Sequence, residues 1–237
     1  MSAHSDHAER VRRFLQRNTV LGRLPEAALH SLAERGQLRC YAKREIIYRR
    51  GEPSDSLMVV VTGRVKLINT NASGKQIVLH FLVPGNIYGE IGALDGKERA
   101  ATAVALEDCD IFLVYTRDLI PTVRAHPDAM LGIIEALCEK VRAGAALIED
   151  STLEMRGRVA RGLLRLAQHH GQKCADGICL QLTLSQEELG GYWGLSRPNV
   201  SRVLGELKEA AVIKADGPQI VIMDEASLTE IAGSTSA

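Results

Sequence analysis

A chain of 237 residues with 46% hydrophobic content is long enough to bury one core or two smaller ones. Its 29 basic and 29 acidic residues cancel, which excludes a global field drawing it to nucleic acid or an anionic membrane, so any affinity for DNA has to come from a local patch. The first residues, with His4, Asp6, His7 and Glu9, lack the apolar core of a signal peptide, and no stretch approaches the roughly 18 apolar residues of a membrane span, so a cytoplasmic location with no membrane partner is expected.

Residues 26–35 read as a short amphipathic helix behind Pro25, with Leu29, Leu32 and Ala33 at helical spacing. From about residue 38 to 117, β-rich runs at 45–48, 57–61, 65–68, 77–81 and 103–114 alternate with turn signals such as Gly51-Glu52-Pro53-Ser54, Thr62-Gly63, Ala72-Ser73-Gly74 and Pro84-Gly85-Asn86. That spacing predicts an antiparallel sandwich or barrel. The pattern then changes: Met130, Ile134, Leu137, Val141, Gly144, Ile148, Ser151 and Met155 fall at alternating steps of four and three, a heptad seam. Such a seam packs against an identical helix in a dimer or, alternatively, against its own domain. Its centre, Ala143 to Ala146 around Gly144, is weak in bulk.

Gly157 marks an expected hinge, followed by a helix carrying Val159, Leu163, Leu164 and Leu166 that ends near Gly171. A strand at 178–182, two helices starting at Ser185 and Ser196, and a hairpin over 212–223 turning at Asp216-Gly217 complete a winged helix-turn-helix order. Cys40, Cys109, Cys138, Cys174 and Cys179, an odd and scattered set, read as reduced thiols. Cys174 and Cys179 near His169 and His170 fit zinc spacing only loosely, and no metal is expected. The paired histidines read as the end of a surface helix. Neither a nucleophile with its base nor a P-loop stands out, so the chain is not read as an enzyme.

Two constellations carry chemistry. Ser185-Gln186-Glu187-Glu188 is a capping box, Gly194 supplies the turn, Ser196 is placed to cap the next helix and Pro198 suits its first turn. The stripe Val200, Val203, Leu204, Leu207 leaves Arg197, Pro198, Asn199, Ser201 and Arg202 outward, where arginine grips guanine and small polar groups bind phosphate. The second is Pro84-Gly85-Asn86-Ile87-Tyr88-Gly89-Glu90-Ile91-Gly92 with Arg99-Ala100-Ala101-Thr102. Taken alone, Glu90 and Arg99 read first as a structural ion pair; they also suit a ribose-phosphate, the carboxylate accepting from a hydroxyl while arginine and backbone N–H groups take the phosphate.

The run from Leu184 to Leu204 resembles the helix-turn-helix of the cyclic-AMP receptor and fumarate-nitrate regulator superfamily, and the glycine-bearing segment resembles the phosphate-binding cassette of cyclic-nucleotide-binding domains. The resemblance covers residues 25–223. It implies an α+β architecture: residues 1–24 as an N-terminal segment, a β-roll effector domain over 25–127, a dimerisation helix over 128–156 and a winged helix-turn-helix over 157–237. It implies that Arg197, Pro198 and Arg202 face bases while Ser185, Gln186, Ser196 and Asn199 lie near phosphates, and that Tyr88, Gly89, Glu90, Ile91, Arg99, Ala100 and Ala101 hold a cyclic nucleotide. Three departures matter. Pro198 stands where the receptor proper has a glutamate, and Ala100 where it has a serine. Ala143 and Gly144 fall where the receptor reads adenine, with Arg142 a substitute, so cyclic AMP and cyclic GMP both stay open as effectors. A homodimer on a palindromic operator, with no tightly bound cofactor and RNA polymerase as a further partner, is the implied regulator; a constitutive or other-effector DNA binder whose β-roll is a dimer scaffold is the rival.

Overall fold

The computed structural model describes residues 11–16, 18, 20–72, 74, 76–217 and 219–233. Ser73 of the expected turn, residues 1–10, 17 and 19 of the N-terminal segment and 234–237 of the last domain lie outside them. The chain divides into two units, residues 1–74 with 79–142 and residues 75–78 with 143–237.

The first unit opens with helix at 11–16, a 3-10 turn at Leu21–Arg23 and α1 (Glu26–Arg35). Eight strands follow: β1 (Gln37–Tyr41), β2 (Ile46–Tyr48), β3 (Ser56–Thr62), β4 (Val65–Thr70), β5 (Gln76–Leu82), β6 (Ile87–Tyr88), β7 (Thr102–Ala105) and β8 (Cys109–Tyr115), with the short α2 (Glu90–Asp95) between β6 and β7. They form two four-stranded sheets, ordered β1-β8-β3-β6 and β2-β7-β4-β5. The period-2 alternation of strands sends successive residues to opposite faces. Leu57 and Val59 of β3, Phe112 and Val114 of β8 and Ile87 of β6 join a core with α1 and the following helices; Met58, Val60, Ile111, Leu113 and Tyr88 join a second core in the roll's interior with Val65, Leu67 and Ala103. At β3 and β8 the first sheet is thus buried on both faces, which is why β3 reads as an unbroken apolar run rather than an alternating one.

The expected strand at 103–114 is two strands in different sheets. Leu106 N–H bonds Arg64 O at 2.8 Å, and Glu107 pairs with Arg64 at 2.6 Å, so the chain turns over residues 106–108 where the run of apolar residues hid a corner.

After α3 (Thr116–Ala125), α4 runs from Pro127 to Asp150. The seam divides along it. Met130 and Leu137 pack against the first unit's own core, whereas Ile134, Val141 and Ile148, seven residues apart, are 47%, 73% and 74% exposed. Ser151 and Met155 lie beyond the helix end, so the seam stops short of its expected reach.

In the second unit the helix break is at residues 151–154, and Gly157 is buried inside α5 (Met155–His170), not at a hinge. It lies against Ile231 of α8 (Glu225–Gly233), where a Cβ would stand an ordinary 3.4 Å from the Ile231 carbonyl; the sequence reading did not include this helix. At the elbow, Asp150 is buried and pairs with Arg161 at 3.5 Å and with Arg165, while Glu149 takes Arg161 at 2.8 Å. The hairpin β9 (Gly171–Cys174) and β10 (Gly177–Leu180) joins β11 (Ile213–Asp216) and β12 (Gln219–Ile222) in a sheet ordered β11-β12-β10-β9. The tight turn between β9 and β10 sets the Cα atoms of Cys174 and Cys179 6.0 Å apart, and the two are disulfide-bonded, which corrects the reading of five free thiols; Cys40, Cys109 and Cys138 remain free. His169 and His170 end α5, as expected, and β9 follows directly. Burial, and then the neighbouring His169, lowers the pKa of His170 to about 4, so this histidine is neutral at pH 7.

α5 packs against α6 (Gln186–Trp193) through Gly162, where any Cβ would overlap the indole of Trp193. Gly162→Ala should therefore destabilise the second unit by about 1–3 kcal/mol through overpacking. Because Trp193 is the chain's single tryptophan, its fluorescence in a denaturant titration reads that unit directly, and an unshifted midpoint would contradict the packing described.

Candidate functional site

The segment between the cores of the first unit brings the expected cassette residues together. Tyr88 ends β6, Gly89 turns the chain with φ 93°, and α2 begins at Glu90. Gly89 is required twice over: its φ is left-handed, and a Cβ there would overlap Arg99 Nη1 and come within 3.0 Å of Ser56 O.

Glu90 and Arg99 do not pair with each other. Arg99, 7% exposed, donates to Ser56 O at 2.7 Å and to Ser56 Oγ at 2.9 Å, and its guanidinium stacks 4.4 Å from the centre of the Tyr48 ring. Glu90, 1% exposed, accepts at Oε1 from Lys140 Nζ of α4 at 2.7 Å; the same ammonium lies 3.3 Å from Ile87 O and 4.5 Å from the centre of the Tyr88 ring. Burial, then the Glu90 charge, pushes the Tyr88 phenol up to about 12. Among the described residues, Glu90 Oε2 and Arg99 Nε are buried without a hydrogen-bond partner. Ala101 is buried, while Ile91 and Ala100 are exposed. On α4, Arg142 is exposed and Ala143 and Gly144 are half-buried; a Cβ on Gly144 would meet nothing within 4 Å.

Tyr48, Ser56 and Lys140 are parts of this arrangement that sequence reasoning missed. A tyrosine in a strand reads as core, a serine at a strand start as a turn residue, and Lys140 has no spacing that separates it from the other charges of its helix. Their signal is tertiary.

In the second unit, Ser185 caps α6: its Oγ accepts from Glu188 N at 3.2 Å and its N–H donates to Glu188 Oε2 at 2.8 Å. Gly194, with φ 69°, makes the turn, and Leu195 N–H returns to Gly190 O at 2.9 Å. α7 (Arg197–Glu209) starts after Ser196, whose side chain makes no cap hydrogen bond, contrary to expectation; Pro198 falls in its first turn, as expected. Val200, Val203, Leu204 and Leu207 are buried as expected, which turns Arg197, Pro198, Ser201 and Arg202 outward and leaves Gln186 and Asn199 half-buried. Arg202 pairs with Glu206 at 2.8 Å and reaches Met155 Sδ at 3.8 Å.

A cyclic nucleotide-binding domain model matches residues 38–126, and a Crp-like helix-turn-helix domain model matches residues 157–231. The cyclic AMP receptor protein of Thermus thermophilus is 33% identical over 195 residues, covering 82% of this chain and 87% of that protein. This chain belongs to the Crp/Fnr superfamily. It shares the superfamily fold with solved structures: FixK2 from Bradyrhizobium japonicum at TM-score 0.73 and 23% identity, covering 85% of this chain and 99% of that one; and TTHB099, a CRP-family regulator from Thermus thermophilus, at TM-score 0.67 and 30% identity, covering 83% and 97%. As a Crp/Fnr member, the chain is a DNA-binding transcription regulator with a cyclic nucleotide-binding domain, the α+β fold expected. Among the described residues no helix is long and apolar enough to cross a membrane, and no group of three or more His, Cys, Asp or Glu side chains is placed to hold a metal.

Lys140→Met leaves a carboxylate of 1% exposure without its cation and should cost about 3 kcal/mol. Adding Glu90→Gln should restore more than half of that loss. Thermal denaturation of the two single variants and the double variant checks this; simple additivity would contradict the pairing.

Proposed function

We propose that this regulator is a homodimer whose affinity for a palindromic operator is set by a cyclic nucleotide, with cyclic AMP favoured and cyclic GMP retained. The supporting observation is the pair of buried, unpartnered atoms in the cassette, Glu90 Oε2 and Arg99 Nε, an acceptor and a donor of the kind a ribose hydroxyl and a phosphate oxygen would satisfy. In this reading Tyr88, Gly89, Glu90 and Ile91 hold the ribose side, and Arg99, Ala100 and Ala101 the phosphate. Arg142, Ala143 and Gly144 are assigned to the base; the last two carry no side-chain donor or acceptor, which leaves the choice of purine open. Lys140, bonded to Glu90, ties the cassette to α4, so that filling the site bears on the dimer helix.

Ser185, Gln186, Ser196 and Asn199 are assigned to phosphates, Arg197, Pro198 and Arg202 to base edges, with Arg202 leaving Glu206 on binding, and Ser201 to the same DNA-facing surface. Two copies present their α7 helices to half-sites about one DNA turn apart. RNA polymerase is the partner proposed for activation, through the 169–176 segment, and the cytoplasm the proposed compartment.

A second reading, a constitutive or other-effector regulator with the β-roll as scaffold, is favoured by one observation: Arg99 is held by Ser56 and Tyr48 and Glu90 by Lys140, so both charges already have internal partners. Calorimetric titration with cyclic AMP and cyclic GMP, alongside operator binding with and without nucleotide, separates the two. We expect micromolar binding that tightens operator affinity, and Arg99→Leu to lose both effects. Operator affinity indifferent to saturating nucleotide and to Arg99→Leu would establish the scaffold reading.

The apolar stripe of Ile134, Val141 and Ile148 supports the dimer, because exposed apolar residues seven apart on one helix match a coiled-coil seam. Val141→Glu with Ile148→Glu should give a monomer in sedimentation and weaken operator binding at least tenfold; a dimer that persists would place the interface elsewhere.

A further inference from the structure

Like Glu90 Oε2 and Arg99 Nε, the hydroxyl of Tyr48, the residue on whose ring the Arg99 guanidinium lies, is buried without a partner among the described residues. Tyr48 comes from β2, in the sheet opposite β6, and is 7% exposed. It belongs to the interior core with Met58, Tyr88, Ala101 and Ala103, where a phenylalanine would fill the same volume. An unsatisfied hydroxyl in such a place costs about 1–3 kcal/mol, so its retention calls for a partner.

The surroundings say which kind. The Arg99 guanidinium lies on the Tyr48 ring, 4.4 Å from its centre. Burial first, then Tyr88 and Glu90, raise the phenol well above its ordinary value against the opposing pull of Arg99, so the hydroxyl keeps its proton and is a donor at neutral pH. The two residues after Arg99 are Ala100 and Ala101, which bring no side-chain donor. A phenolic donor next to an arginine is a pair that a phosphate oxygen accepts from.

We propose that Tyr48 is an additional effector-binding residue whose hydroxyl donates to an anionic phosphate oxygen of the ligand held at Arg99. This rests on the cyclic-nucleotide reading above and adds to it a contact from outside the cassette, contributed by the opposite sheet. Ligand binding then satisfies a group that the unliganded protein leaves bare.

Tyr48→Phe removes the hydroxyl alone. The test is calorimetric titration of wild type and Tyr48→Phe with cyclic AMP and cyclic GMP, together with thermal melts of both proteins without ligand. A charge-assisted hydrogen bond predicts binding weakened about tenfold or more in the variant. The unliganded variant should melt no lower than wild type, because it has lost a group that only the ligand satisfies. Wild-type binding that Tyr48→Phe leaves unchanged overturns this inference alone, most plainly if the variant also melts higher, since the hydroxyl is then only a buried defect. A wild type that binds neither nucleotide overturns the effector reading and this inference with it.

Discussion

Burying a carboxylate costs several kcal/mol unless a cation and hydrogen bonds meet it, and the first unit is built around meeting that cost at one position. Glu90 is 1% exposed at the start of α2, and among the described residues its hydrogen-bonding cation is Lys140, from α4. For the two to sit 2.7 Å apart, the left-handed turn at Gly89, the end of β6 and the register of α4 along the roll all have to hold at once. Tyr88 fills the space beneath the ammonium and Arg99 packs against the bare Cα of Gly89. The cassette is therefore a set of mutually dependent contacts: any group that satisfies the remaining oxygen of Glu90 acts on a residue already bonded to the long helix.

The second unit solves a comparable problem with two arginines. Asp150 ends α4 under the guanidinium groups of Arg161 and Arg165, which line one side of α5. The helix-turn-helix itself relies on close backbone approach. Gly162 admits the Trp193 indole, and Gly190 admits the carbonyl of Leu195, which a Cβ would meet at 2.8 Å. These contacts fix α6 and α7 from behind and leave the outward face of α7 to polar residues.

Local signals carried most of the fold. The capping box at Ser185, the stripe from Val200 to Leu207, the glycine turns and the heptad spacing are properties of a few neighbouring residues, and each element they mark is present. What was illegible depends on distant partners. The corner at residues 106–108 is made by Arg64, the burial of Gly157 by Ile231, and the Cys174–Cys179 bond by a hairpin turn whose tightness the spacing did not reveal. The candidate site divides the same way. Glu90 and Arg99 stand out in a linear motif, but their actual partners, Lys140, Ser56 and Tyr48, come from three other elements, and the ion pair the motif suggested is not formed.

The two-faced sheet also shapes how such a protein can diverge. In β3 and β8 every second residue belongs to one core and the rest to the other, so a single inserted or deleted residue would exchange the two sets and spoil both cores together. Length variation is thereby confined to the connections around those strands, and inside them only volume-matched exchanges are tolerated. Change in the interior core has to arise by substitution from its shorter members, such as β2, whose Tyr48 faces it. A lineage can exchange side chains there while the two-faced sheet stays fixed.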